Sequence, residues 1–268
     1  MKIYRGQQTP EHKGDTSREL LDMWQESGYC EIVDGETQDV FIWANEPGDV
    51  LLYEYDRYDV YPSLPGHWNH GLFGGMQHRW PNAHAWIYWA RHPRKLEAKI
   101  EAGVKSYGDR EIESIFLGKV ENRVQLANRT AHDWSEGIEL FSMPISMGDS
   151  FKWPYTQDEY LEKVASTKFG LCLPGYGPKC NREIEYLGLG VVPIITERVC
   201  TIYHDPLIEG LHYLKADTPQ QAQNIMKDCS EAKWQYMSHH GRQWYERNCS
   251  RLGSFETTKR IVESLKDA

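Results

Sequence analysis

Between Ser166 and Thr196 the chain reads STKFGLCLPGYGPKCNREIEYLGLGVVPIIT, and three kinds of residue stand there at spacings that could hold a phosphorylated ligand. Gly170, Gly175 and Gly177 flank the end of an apolar run. In the turn PGYGPK, which also carries Pro174 and Tyr176, glycines let backbone N–H groups approach a phosphate with no Cβ in the way. Arg182 comes next, in what reads as the first turn of a helix. The helix dipole favours an anion there, and a guanidinium can make paired bonds to a diphosphate. Glu185, three residues on, shares that helical face, and a carboxylate so placed suits a pair of sugar hydroxyls, as acidic residues do with ribose in other nucleotide sites. The same letters also describe a strand ended by glycines and an ordinary Arg/Glu pair on a solvated helix, worth about 0.2–0.5 kcal/mol. By themselves the residues leave both readings open.

A second cluster, Phe116-Leu117-Gly118-Lys119 with Arg123 four residues on, repeats the design of strand, glycine and basic helix start. Two such corners in one parallel sheet can face the same crevice; the plainer alternative is a surface lysine and arginine.

These groups need a scaffold, and the pattern of apolar runs supplies one. From Ser114 onward it predicts a regular alternation: strand Ser114–Gly118, helix Asn122–Asn128, strand Ile138–Met143, helix Gln157–Ala165, strand Phe169–Leu173, helix Arg182–Leu189 and strand Val191–Thr196. An edge strand at His212–Lys215 and a helix over Thr218–Asp228, opened by a Thr-Pro pair, come after these. That alternation is the signature of a doubly wound α/β sheet. Two further helical stretches, Glu231–Arg247 and Ser254–Lys266, are too polar for an independent domain and read as packing across the sheet or back onto the N-terminal half.

The first hundred residues are less regular. After a polar start, Ser17–Ser27 reads as an amphipathic helix with Ser17 as N-cap and Gly28 as its end. Tyr29–Val33, Val40–Ala44, Val50–Tyr55 and Ala85–Ala90 read as strands, and Arg94–Val104 as a helix. Asp56–Arg79, with its prolines, glycines, histidines and aromatics, cannot be one regular element, and a loop of that length is usually functional or mobile. The polar segment Lys105–Arg110 marks the change of texture. The domains expected are 1–108, 109–230 and a pair of closing helices in 231–268.

Composition bounds the partners. The 268 residues carry 30 basic and 39 acidic side chains, a net charge of −9, which argues against a general phosphate-backbone binder, and nucleic acid is not expected as a partner. Ten tryptophans and sixteen tyrosines read mostly as core, although exposed rings also stack on sugars. Cys30, Cys172, Cys180, Cys200, Cys229 and Cys249 form no C-x-x-C pair and no zinc-like spacing, and read as reduced, mostly buried thiols. No apolar run approaches the roughly twenty residues of a membrane span, so the chain as written is expected to be soluble and cytoplasmic.

The order Phe116-x-Gly118-Lys119, Arg123-x-x-Leu126, Ser166-x-Lys168-Phe169, Leu173-Pro174-Gly175-x-Gly177, Arg182-x-x-Glu185 and Gly190-x-x-Pro193-Ile194-Ile195 resembles the exostosin-like glycosyltransferases over roughly residues 112–215. Those are inverting enzymes of the GT-B fold, two Rossmann-like domains facing a central cleft, and they use nucleotide sugars. The resemblance implies a donor site in the C-terminal domain built from Gly118, Lys119, Arg123, Pro174, Gly175, Tyr176, Gly177, Arg182 and Glu185. Glu185 would hold ribose hydroxyls, and Arg182, Arg123 and Lys119 would neutralise the diphosphate as it leaves. It implies a uridine diphosphate donor carrying xylose, galactose, glucuronate or arabinose, and a glycan acceptor. The chain has no Asp-x-Asp motif, and a basic clamp can replace a metal, so no obligatory metal or other cofactor is expected. Three departures stand out. Lys179-Cys180-Asn181 replaces the Ser or Thr that often precedes the family's arginine; the Golgi anchor of eukaryotic members is missing; and the chain is short for two such domains. It reads as a trimmed form, or as a compact soluble form of the kind a microbe or a large virus encodes.

An inverting transfer needs a base for the acceptor hydroxyl, expected from the N-terminal half. Asp56, at a strand end, is the first candidate and Asp59 the second, with His67 and His70 as competitors. His67, Trp68, His70 and Phe73 are the expected acceptor contacts, with Trp80 a further candidate; lid packing explains the aromatics equally well. The alternative function is a non-catalytic glycan or nucleotide-sugar binding protein on the same fold. A different nucleotide-dependent α/β enzyme is a further rival.

Overall fold

The structure, a computed structural model, describes residues 2–7, 16–38, 41–43, 50–53, 70–74, 83–86, 90–119, 134, 141–143, 155–174, 179 and 181–266. The fold is α/β, with eleven strands and seven helices among these residues. The chain divides into two compact units, one of residues 1–94, 202–206 and 246–268, the other of 95–201 and 207–245. The sequence puts the first boundary at 108/109. The division instead falls at 94/95, and ion pairs from Lys95 to Asp158 and from Lys99 to Glu162 tie the residues beyond it to the second unit. The closing helices, expected together, are likewise shared between the units.

The second unit carries the regular alternation. Its strands are β7 (Ile112–Lys119), β8 (Phe141–Met143), β9 (Thr167–Cys172), β10 (Val192–Ile195) and β11 (Leu214–Lys215). They form one five-stranded sheet in the order β11-β10-β9-β7-β8, parallel throughout. Helix α3 (Gln157–Ala165) precedes β9, α4 (Asn181–Gly188) joins β9 to β10, and α5 (Pro219–Lys227) comes after β11. The span of α3 is the one expected, and the other described elements shift by one to three residues. The expected helix over 122–128 lies outside the described residues.

A parallel sheet buried on both faces needs near-continuous apolar strands, and β9 and β10 have them. Phe169, Leu171, Leu173, Val192, Ile194, Leu214 and Ala216 pack with Ala222, Trp234 and Met237 in one core cluster. The alternate positions meet α4: a Cβ on Gly170 would lie 2.2 Å from the Tyr186 ring. Gly170 is therefore a glycine because an aromatic ring occupies its side-chain space, not because a phosphate approaches there. Local signals fix the helix ends. Thr156 and Glu159 form a reciprocal capping box at the start of α3, and Thr218 and Gln221 form another at α5. Gly190, at φ +69°, closes α4, with Val191 N–H donating to the Tyr186 carbonyl and Gly190 N–H to the Leu187 carbonyl.

One buried cation ties the amino ends of this unit together. Arg110, 3% exposed, donates to the carbonyls of Thr167 (2.6 Å), Leu189 (2.8 Å) and Lys105 (3.2 and 3.0 Å). Its guanidinium lies 4.9 Å from the Trp234 ring centroid. Burial, helped by Arg242, draws its pKa down to about 10, so it remains a cation at neutral pH.

The first unit contains a mixed six-stranded sheet in the order β2-β1-β3-β4-β5-β6. Its strands are β1 (Lys2–Gln7), β2 (Glu31–Gln38), β3 (Phe41–Trp43), β4 (Val50–Tyr53), β5 (His70–Gly74) and β6 (Ala83–Trp86). The β1/β3 and β3/β4 pairs are antiparallel and the others parallel. Four strands depart from the expectation: β1 falls in the supposed polar start, β2 runs on to Gln38 through the supposed turn after Val33, β5 falls inside the supposed long loop, and β6 starts two residues before the expected Ala85–Ala90 and ends at Trp86, four residues short of Ala90. Helix α1 (Thr16–Glu26) begins one residue before Ser17, which therefore lies in its first turn and not at its cap. Helix α2 (Pro93–Glu101) and the long α6 (Glu231–Asn248) each run through a unit boundary, and α7 (Arg251–Lys266) ends the chain. Trp24 of α1 donates to Ser254 Oγ (3.0 Å) and packs edge-on to Phe255, and Trp86 donates to Thr258 Oγ1 (2.8 Å). Trp24, Trp86, Trp134, Trp234 and Trp244 are all buried, so these rings serve the core. Cys30, Cys172, Cys200, Cys229 and Cys249 are free thiols.

Candidate functional site

The strand order of the second unit locates a crevice before any side chain is considered. In chain order β7 is followed by β8 on one side, while β9, β10 and β11 extend the sheet on the other. Connections from the carboxyl ends of β7 and β9 therefore leave in opposite directions. In open α/β sheets, ligands bind outside the carboxyl ends of the strands at such a switch point. Both glycine-bearing corners singled out from the sequence attach here: Gly118-Lys119 closes β7, and Leu173-Pro174 directly succeeds β9.

Helix α4 starts beyond the β9 end and brings Arg182 to this place. The guanidinium carbon of Arg182 stands 4.5 Å from the Phe116 ring centroid, and Nη2 donates to the Leu117 carbonyl at 3.4 Å. Both partners lie near the carboxyl end of β7. Stacking on a ring fixes a guanidinium plane while leaving its edge able to make further bonds.

Glu185 is 3% exposed and its Oε2 accepts a hydrogen bond of 2.6 Å from the Tyr160 hydroxyl of α3. The solvated Arg/Glu pair allowed by the sequence is thus excluded for Glu185. Burial, and then the negative charge of Glu185, pushes the Tyr160 hydroxyl pKa well above its ordinary value, so it stays a donor. Tyr186, fully buried behind it, is pushed up by burial as well. Pro174 is buried. Lys179 and Glu183 are 4% and 1% exposed. Lysine and glutamate are almost never this buried unless paired.

Of the expected donor contacts, Arg182 lies against Phe116 and Leu117 of β7, Glu185 is buried against Tyr160 of α3, and Pro174 is buried just past the end of β9. For Gly118, Lys119, His70 and Phe73 the structure gives strand positions: the first two end β7 and the last two belong to β5. Asp56, Asp59, His67, Trp68, Trp80, Arg123, Gly175, Tyr176 and Gly177 lie outside the described residues. Tyr160, 25 positions before Glu185 and on a different helix, carries no local sequence signal of its contact with that carboxylate. Among the described residues no cluster of three or more His, Cys, Asp or Glu could hold a metal ion, and no helix is long and apolar enough to cross a membrane.

Compared with protein-family models the chain matches none, and no curated protein matches it.

Proposed function

We propose that the chain is an inverting glycosyltransferase that moves a sugar from a nucleoside diphosphate donor, with uridine as the base, to a hydroxyl of a glycan. The observation that carries this reading is the pairing of Arg182 and Glu185 on one short helix at the switch point of a parallel sheet, the cation against the end of β7 and the carboxylate buried. A cation and a carboxylate one helical turn apart suit a ligand that is anionic at one end and carries vicinal hydroxyls at the other. A nucleoside diphosphate has that form.

In the reaction the acceptor oxygen forms a bond to the anomeric carbon as the bond from that carbon to the diphosphate oxygen breaks. The electron pair leaves with the nucleoside diphosphate, and the acceptor proton passes to a base. A single displacement inverts the anomeric centre. Arg182, with Lys119 and Arg123, stabilises the charge growing on the leaving diphosphate, the form of catalysis that preoriented charges perform best. Glu185 holds the ribose. Asp56 or Asp59 takes the proton, and His67, Trp68, His70 and Phe73 receive the acceptor. The second unit is the donor domain of a GT-B arrangement, and the likeness of its motifs to the exostosin-like enzymes supports xylose or galactose as the transferred sugar. The basic clamp does the electrostatic work without an obligatory metal.

A thermal-shift screen with nucleoside diphosphates and their sugars tests this. A ligand at one hundred times its dissociation constant stabilises the fold by about 2.7 kcal/mol. Uridine diphosphate and its sugars are expected to raise the melting temperature; no shift with any nucleotide would overturn the donor site. Binding without transfer, together with no effect of replacing each acid and histidine from Asp56 to His70, would instead identify a binding protein.

A further inference from the structure

We propose that Tyr160 is a positioning residue for nucleotide recognition: its hydroxyl sets the plane of the Glu185 carboxylate and so gives the site its preference for a ribose over a deoxygenated sugar. This rests on the donor-site reading above and adds to it a residue from a different helix.

The geometry is specific. Tyr160 projects from the buried face of α3, which it shares with Leu161, Val164 and Ala165. That helix is held at its start by the Thr156/Glu159 capping box, so the hydroxyl is delivered from a fixed support. It meets Glu185 Oε2 at 2.6 Å, the short distance of a hydroxyl donating to a charged acceptor. A glutamate side chain has three rotatable bonds, and its terminal torsion is broad. A ribose 2′,3′-diol presents two donors in a fixed relation, so a carboxylate that must meet them gains from having its plane set in advance. A tyrosine does this at every physiological pH because it stays protonated, and it adds no second positive charge beside Arg182.

The alternative is a tyrosine that merely satisfies a buried acid. The two differ in what removing one oxygen does. If Tyr160 only supports the fold, Tyr160→Phe lowers stability and changes all nucleotide affinities together. If it orients Glu185, the loss falls on the ribose hydroxyls.

The experiment is calorimetric titration of the full chain with uridine diphosphate and with 2′,3′-dideoxyuridine diphosphate, for the wild type, Tyr160→Phe, Glu185→Gln and the double variant. The wild type is expected to bind the ribose form at least about tenfold more tightly, the worth of one hydrogen bond to a charged group. Tyr160→Phe is expected to bring that ratio toward one while leaving affinity for the dideoxy form within about twofold, and to add nothing once Glu185 is glutamine. An unchanged ratio in Tyr160→Phe, or an equal loss for both ligands, overturns the inference while the donor site stands. A wild type that binds both forms equally overturns it too. A wild type that binds neither overturns the donor site and this inference with it. Should Tyr160→Phe fail to fold, 4-fluorophenylalanine at position 160 fills the space of the hydroxyl but cannot donate to Glu185. The ratio must then fall toward one, and constancy again refutes the role.

Discussion

Gly170→Ala is expected to destabilise the second unit with no ligand present, because the space a methyl group would need belongs to Tyr186. A Cβ built there lies 2.2, 2.4 and 2.6 Å from three atoms of that ring. Ordinary carbon contacts begin near 3.5 Å, so the ring or the strand must yield by about 1 Å. Tyr186 is fully buried, and its hydroxyl donates to the Ile115 carbonyl at 3.4 Å, so it has no solvent to move into. Overpacking of this kind costs about 1–3 kcal/mol, and the depth of the clash puts Gly170→Ala at the upper end. For a chain of this size that lowers the melting temperature by about 5–10 °C. Thermal melts followed by circular dichroism measure it. A companion variant sharpens the result: Tyr186→Leu destabilises alone by opening a cavity, yet the double variant should lose less than the sum of the singles by about 1 kcal/mol or more. A Gly170→Ala melt within about 2 °C of wild type, or strict additivity with Tyr186→Leu, would refute the packing explanation.

Arg110→Met keeps much of the side-chain volume but leaves the carbonyls of Lys105, Thr167 and Leu189 without their donor, and denaturant unfolding should show a loss of about 3 kcal/mol or more. Glu162 accepts hydrogen bonds from Lys99 and Lys105, which hold its carboxyl at about 2 against a usual 4.5. A carboxyl depressed on folding contributes stability that is full above pH 4.5 and fades as the pH falls toward 2. Because the side chain is half exposed, screening limits this to about 1 kcal/mol, and Glu162→Gln should flatten the stability profile across that acid window.

How much the sequence disclosed depends on the range of the forces involved. Helix α3 is legible to the residue because its start is written locally, with Thr156 and Glu159 three apart and an apolar face behind them. The Thr218-Pro219 start of α5 is legible for the same reason. The strand β1 is not, since Lys2–Gln7 (KIYRGQ) has no alternation of polar and apolar residues and is held by β2 and β3, which lie tens of residues away. The site divides the same way. Arg182 and Glu185 are one helical turn apart and announce themselves. Their surroundings come from elsewhere in the chain: Phe116 and Leu117 from β7, Tyr160 from α3. The strand order that makes the β7/β9 ends a switch point is tertiary information. Gly170 shows the cost of reading locally, for a glycine beside a glycine-rich turn suggests a ligand, and only the fold reveals Tyr186 against it.

The central claim is that Arg182 and Glu185 divide one nucleoside diphosphate between them. Calorimetric titration of uridine diphosphate against the wild type, Arg182→Gln and Glu185→Gln tests it most directly. Saturable one-site binding by the wild type is predicted, weakened about tenfold or more in each variant, with Arg182→Gln alone also losing the affinity difference between uridine diphosphate and uridine. Equal binding by all three proteins, or none by the wild type, would contradict it.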